Sequence, residues 1–272
     1  MQGRLLPKYK NNYQAHPVGY WQNEFFIAKK LGLDLIEFIL DFDGVKKNPL
    51  MNMIGLEEIK NVTKNSGVDL NTVCADYFMV APLHSVSADV IEESKQILNI
   101  LIRNCSSLGI SDIVIPCIDN SSLSRKSSIN SFIQNIKPGL ELAEKLNINL
   151  ALESDLQPIQ LKKLLKSVGS TRLTINYDTG NSSAMGFNPI EEFKMYGYNI
   201  TDIHIKDRIL KGESVLLGEG NTNFKTIFQC INDINYSGPL IMQAYRNDDG
   251  LQIFKKQLKW FKEQMNKSLS IC

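Results

Sequence analysis

The sequence predicts an α/β fold, a closed (β/α)8 TIM barrel, and three observations carry that expectation. Short β-branched-rich apolar runs alternate with amphipathic stretches from one end to the other, the mark of repeated βα units around a parallel sheet. The alternation gives eight strands and eight helices over 272 residues. No Gly-rich dinucleotide fingerprint follows the first run, which disfavours an open doubly wound sheet. The length fits one barrel as well as two smaller domains; with no linker, internal repeat or low-complexity tract, the chain reads as a single domain over 1–272.

The first strand is expected within 1–6 (MQGRLL), followed by 34–40, 70–75, 112–118, 148–154, 173–178, 201–206 and 239–244. Helices are expected near 21–32, 55–66, 86–108, 127–146, 157–168, 189–196, 223–235 and 249–267. Gly32, Gly67 and Gly109 each follow a helical run and precede a strand, where a left-handed C-cap belongs. Asn188, Pro189 and the acids Glu191 and Glu192 form a helix start: a cap, proline in the first turn, and negative charge at the positive end of the dipole. The serine-rich stretch 121–128 is read as the loop between the fourth strand and fourth helix, over the C-terminal face of the barrel.

Composition narrows the function. Hydrophobic residues make up 43% and the formal net charge is +1, so a large core is expected and no footprint for nucleic acid or an anionic membrane. The N-terminal MQGRLLPKYKNN lacks a signal-peptide core, and no run of about 18 apolar residues is present for a membrane span. A cytoplasmic protein acting on a small molecule is expected. Five cysteines, Cys74, Cys105, Cys117, Cys230 and Cys272, are scattered without C-x-x-C spacing and read as reduced packing residues.

Barrel enzymes carry their chemistry at strand C-termini. Those ends hold Arg4, Glu37 with Asp41, Asp76, Asp119, Glu153 with Asp155, Asp178 with Asn181, His204 with Lys206 and Asp207, and Gln243. Four of them, Glu153, Asp178, His204 and Gln243, end the last four strands, where two carboxylates, an imidazole and an amide would converge as oxygen and nitrogen ligands of a metal. Each has a plainer alternative: Glu153 as a solvated acid paired with Lys206, His204 as a hydrogen-bonded core residue, Gln243 as an ordinary polar side chain. Asp76 and Asp119 are read as substrate contacts or loop caps, and His16 and His84 as surface or capping residues.

The segments LALESD, NYDTGN, DIHIKDR and LLGEGNTNF, in that order, resemble the xylose isomerase-like barrel superfamily of sugar isomerases and epimerases, and within it the pentulose-5-phosphate 3-epimerases. The resemblance implies one divalent metal, Mn2+ first, with Mg2+, Co2+ or Zn2+ as alternatives, held by Glu153, Asp178, His204 and a fourth residue. Where the family has a second glutamate this chain has Gln243, whose carbonyl can ligate a hard cation but cannot take a proton. The implied activity is isomerisation or epimerisation of a small sugar or sugar phosphate through an enediolate. Glu153 would be ligand and base, Lys206 an anchor, and Glu37, Asp76, Asp119, Asn181 and Arg208 substrate contacts.

With Gln243 in place, one-base isomerisation is favoured slightly over two-glutamate epimerisation. Keto-polyol dehydration and a non-catalytic sugar-binding barrel stand as alternatives. An abasic-site endonuclease on the same barrel is disfavoured by three histidines and a near-neutral charge. The glycines of GEGNTNF (218–224) would allow a phosphate to approach backbone N–H groups, or simply make a turn. Phe254, Leu258, Trp260 and Phe261 on the last helix would pack on the barrel and a partner subunit, and relatives imply a homodimer or homotetramer.

Overall fold

Seven parallel strands form the centre of the molecule in a nearly closed barrel: β1 (Leu35–Ile39), β2 (Asp69–Cys74), β3 (Asp112–Cys117), β4 (Asn149–Ser154), β5 (Leu173–Asp178), β6 (Ile200–Ile205) and, after a two-stranded hairpin of β7 (Asp207–Arg208) and β8 (Ser214–Val215), β9 (Leu240–Met242). The structure, a computed structural model, describes residues 5–245 and 250–269. The sheet order is β1-β2-β3-β4-β5-β6-β9, every pair parallel. The strand expected within 1–6 does not form over its described part: Leu5 and Leu6 are buried in a bend. Its residues 1–4, Arg4 included, and Cys272 lie outside the described residues.

Helices follow the strands: α1 (Gln22–Lys30), α2 (Met53–Ser66), a short α3 (Tyr77–Val80), α4 (Ala88–Leu108), α5 (Lys126–Leu146), α6 (Pro158–Val168), α7 (Thr179–Met185), α8 (Pro189–Tyr196), α9 (Phe224–Asp233) and α10 (Leu251–Leu269). Their limits have local causes. Gly67 (φ 63°) and Gly109 (φ 74°) close α2 and α4 in the left-handed region, as expected of residues without a Cβ. The Asn188 side chain accepts a hydrogen bond from Ile190 N at 3.0 Å, capping α8. At Gly139 an added Cβ would stand 2.7 Å from Leu98 Cδ2, so glycine there lets α5 lie close on α4.

Helix α7 was not expected, because TGNSSAM reads as a loop. Tertiary contacts hold it instead. Asp178 caps it by accepting from Asn181 N, and its Ser182 donates to the buried Glu192 of α8 at 2.5 Å. Tyr177 and Tyr196 donate to the same carboxylate at 3.0 and 2.7 Å. This buried acid joins β5, α7 and α8, with hydroxyl donors meeting its charge.

Period-two alternation gives every barrel strand two different faces. The outward positions, among them Phe38, Val73, Ile113, Leu152, Ile175, Ile203 and Ile205, are buried against the helices in one continuous apolar cluster. Many inward positions are small or polar: Cys74, Val114 and Ala151 form a separate small cluster, and Glu37, Thr72, Asn176, Asp202 and His204 are buried. Cys74, Cys105, Cys117 and Cys230 are buried and free. On α10, Trp260 packs edge-on against Phe224 and Phe261 against Phe228, so these aromatics cover α9.

Candidate metal centre

Three of the expected ligands meet. Glu153 on β4, Asp178 at the end of β5 and His204 on β6 are buried, Asp178 pairs in register with His204, and one ligand atom from each lies within 4.8 Å of the others. The convergence follows from the barrel: inward positions at neighbouring parallel strand ends share one rim. Asp178 Oδ1 is occupied by Asn181 N at 2.8 Å, which leaves Oδ2 buried without a hydrogen-bond partner among the described residues. Asn181 Nδ2 donates to Glu153 Oε1 at 2.6 Å, and Asn176 Nδ2 donates to Glu153 Oε2 at 3.2 Å and faces His204 Nδ1 at 3.1 Å.

The electrostatics are those of a cluster short of positive charge. Burial and the neighbouring Asp178 push the Glu153 carboxyl up to about 7, against the pull of His204 and Lys206. Burial alone would lower the pKa of His204, but Glu37, Glu153 and Asp202 reverse this and raise it to about 10. Burial first, and Glu37 next, hold Asp202 well above the usual carboxylate range. A field that draws a proton so strongly also draws a cation. Two carboxylates and an imidazole, with a buried carboxylate oxygen that accepts no hydrogen bond, fit one divalent ion of the Mn2+, Mg2+, Co2+ or Zn2+ class.

Other expected residues fall in graded positions. Gln243 is buried, and its Oε1 accepts from Lys206 Nζ at 3.1 Å. Lys206 stands 3.5 Å from Asp178 Oδ2, so its ammonium links the second and fourth expected ligands, and Glu153 is held by two asparagines instead. Arg208 is held in the rim, donating to Asn181 Oδ1 at 2.8 Å and to Gly212 O. Asp76, half-buried after β2, accepts from Gln14 Nε2 at 3.1 Å and from Cys74 Sγ at 3.2 Å; burial chiefly raises it to about 6. Asp119 is exposed in a turn at φ 49° and stays apart from the ligand cluster. Glu37 is buried inside the barrel against His204 Nε2, at 3.0 Å.

Two expectations are corrected. The loop 218–224 does not present free amides: Gly218 N, Gly220 N and Thr222 N all donate to the Asp207 carboxylate at 2.9, 2.9 and 3.0 Å. A Cβ at Gly220 would collide with Asp207, so its glycine serves this internal anion. His16 is not at the surface: it is buried beside Phe38 and Trp21, ring centroids 5.0 and 6.1 Å away.

Thr72, Asn176 and Asp202 were missed by the sequence reading. Each interrupts an apolar strand, and Asn176 and Asp202 precede Asp178 and His204 by two positions. A polar residue on the inward phase of a buried strand is the signal that could have found them.

Similar proteins agree with this architecture. A putative L-ribulose-5-phosphate 3-epimerase, SgbU, of Escherichia coli K12 is 24% identical over 94% of its length and 93% of this chain. The L-ribulose-5-phosphate 3-epimerase UlaE of an E. coli strain is also 24% identical, covering 94% of both chains. The crystal structure of a D-psicose 3-epimerase in the presence of D-fructose superposes with a TM-score of 0.70 at 19% identity, covering 93% of each chain. The family model for the xylose isomerase-like TIM barrel matches residues 25–264, and the chain belongs to that family.

Proposed function

We propose that the protein is a single-domain, divalent-metal-dependent isomerase or epimerase of a small sugar or sugar phosphate. One observation carries the reading: Glu153, Asp178 and His204 bring ligand atoms within 4.8 Å at adjacent strand ends, and burial raises the Glu153 carboxyl to about 7. A buried carboxylate at a strand end, held by two asparagines, is placed as a general base would be. The 3-epimerase relatives make a ketose the first substrate class to test.

Glu153, Asp178, His204 and Gln243 would hold the cation, with Mn2+ as the first choice. When bound, the ion would polarise a chelated carbonyl and stabilise the enediolate. Glu153 takes the proton from the carbon beside that carbonyl. Its two oxygens are fixed by Asn181 and Asn176, which aims the carboxylate without neutralising it. The Lys206 ammonium, between Asp178 and Gln243, anchors a substrate oxygen and offsets negative charge as it develops. Gln243 has no ionisable proton, so a one-base route that returns the proton to the face it left, as in isomerisation, is favoured slightly over two-base epimerisation.

Incubation with Mn2+ and a panel of free and phosphorylated ketoses in D2O tests the reading. Deuterium at C1 or C2 marks isomerisation, and deuterium at C3 marks epimerisation. Loss of water would reassign the protein to dehydration, for which a Clostridium perfringens inosose dehydratase, 23% identical over 39% of this chain, is the motive. Sugar binding without exchange across the panel would make it a binding module.

A further inference from the structure

We propose that Glu37 is the positioning residue for His204: from inside the barrel it holds the imidazole Nε2–H and so turns the Nδ1 lone pair toward Glu153 and Asp178. The inference rests on the reading of Glu153, Asp178 and His204 as a cation site. His204 is fully buried, so neither ring nitrogen can be satisfied by bulk water. Nε2 stands 3.0 Å from Glu37 Oε1, an ion-pair contact, and neither atom makes a hydrogen bond to any described residue. Nδ1 stands 3.1 Å from Asn176 Nδ2. A carboxylate oxygen accepts and an amide nitrogen donates, so once a cation displaces the ring's second proton both neighbours favour the same arrangement: proton on Nε2, lone pair on Nδ1.

Glu37 is itself held. Thr72, its register partner on β2, donates to Glu37 Oε2 at 3.0 Å, and the same hydroxyl meets Asp202 Oδ2 at 2.5 Å. Asp202 is on β6, two residues before His204 and on the same inward face. The chain of contacts Asp202, Thr72, Glu37, His204 therefore crosses the barrel interior from β6 to β2 and β1 and back to β6. A ring clamped at its far nitrogen keeps its near nitrogen in place before a cation arrives, and loss of such outer partners lowers metal affinity by about 10- to 100-fold. The same carboxylates also admit a different occupant, since Glu37, Asp202 and His204 bring ligand atoms within 4.8 Å of one another. A second cation there is the competing outcome.

The test compares Mn2+ affinity and stoichiometry by calorimetry in wild type, Glu37→Met, Glu37→Gln and Thr72→Val, with circular dichroism as the folding control. In parallel, 15N NMR of the Mg2+-loaded proteins follows the imidazole N–H, simplified by the presence of only three histidines. The expected result is one Mn2+ per chain throughout, affinity lowered about 10- to 100-fold in Glu37→Met, and smaller losses in Glu37→Gln, which keeps an acceptor oxygen, and in Thr72→Val. The wild type should show a slowly exchanging His204 Nε2–H that is lost in Glu37→Met. If Glu37→Met does not fold, Glu37→Gln carries the comparison, with the same resonance shifted and the affinity reduced. Unchanged affinity and an unchanged Nε2–H resonance in the folded variants overturn the proposal, as does a second Mn2+ in wild type that Glu37→Met removes. Glu153→Gln and Asp178→Asn serve as separate controls: if they leave Mn2+ affinity intact, the cation site itself fails, whereas losses there beside an intact Glu37→Met refute only the positioning role.

Discussion

Ile203 and His204 are neighbours on β6, both fully buried, yet they belong to two different interiors. Ile203 points out of the barrel into the apolar layer beneath the helices. His204 points in, where Glu37, Asn176 and Glu153 surround it. The strand repeats this division along the sheet: the apolar layer lies outside the barrel wall, and the cluster of Glu37, Glu153, Asp202 and His204 lies inside it. The inward face accepts buried acids because hydroxyls, amides and an imidazole meet them, whereas the outward face is mainly apolar packing, with Tyr177 donating to Glu192 as an exception.

Mutations separate the two faces. The largest effect is expected for Glu153→Gln, which keeps the side-chain volume and removes the base: carbon-bound deuterium exchange should fall about 10²- to 10⁴-fold with the fold intact, and persistent exchange would remove Glu153 from the reaction. On the opposite face, Ile203→Ala should cost about 2–5 kcal/mol in urea unfolding while the folded protein still binds one Mn2+. A change in Mn2+ stoichiometry there would show that the two interiors are not independent.

The next expectation concerns pH. Burial lowers the His16 pKa from 6.5 to about 4, so the unfolded chain takes up the proton first as the solution is acidified. Its stabilising contribution is complete above about pH 6.5 and is lost as pH falls to about 4, in total about 3 kcal/mol. His16→Phe should flatten that part of the pH–stability curve relative to wild type; parallel curves would contradict the burial argument.

Asp207→Ala leaves the amides of Gly218, Gly220 and Thr222 without their acceptor. A loss of about 1–3 kcal/mol and faster hydrogen exchange at those three amides are expected, and retained protection would mean that the loop is held otherwise. The smallest change is Gln243→Glu. Adding a carboxylate should tighten Mn2+ binding roughly tenfold, or about 1.4 kcal/mol, and shift deuterium incorporation toward C3. If affinity is unmoved, Gln243 lies outside the ligand set.

Much of this was legible in advance. Seven of the eight expected strands form, because alternating βα patterning survives without any contact information. The eighth failed where only two apolar residues of the expected strand, Leu5 and Leu6, are described, and they bend. Glu153, Asp178 and His204 were expected to converge because strand-end position is written into the apolar runs before them, and their ligand atoms do lie within 4.8 Å of one another. Helix α7 was hidden, since its Gly, Asn and Ser residues favour a loop and tertiary contacts, those of Asp178 and Glu192 among them, hold it helical. For the loop 218–224 the sequence left an anion site and a simple turn open, and Asp207, eleven residues before Gly218, takes the amides itself.

The sequence by itself determined the barrel, the rim that carries the acids, and the glutamine, Gln243, at the end of its last strand, because periodicity and residue type are local properties. Only the tertiary structure decided which polar groups meet. Glu37 moved from a proposed substrate contact to the far side of His204, Lys206 went to Asp178 and Gln243, and Asp207 took the loop amides. Hydrogen-bond partners across a barrel are set by register and strand tilt, which act between distant segments and leave no trace in the spacing of any one of them.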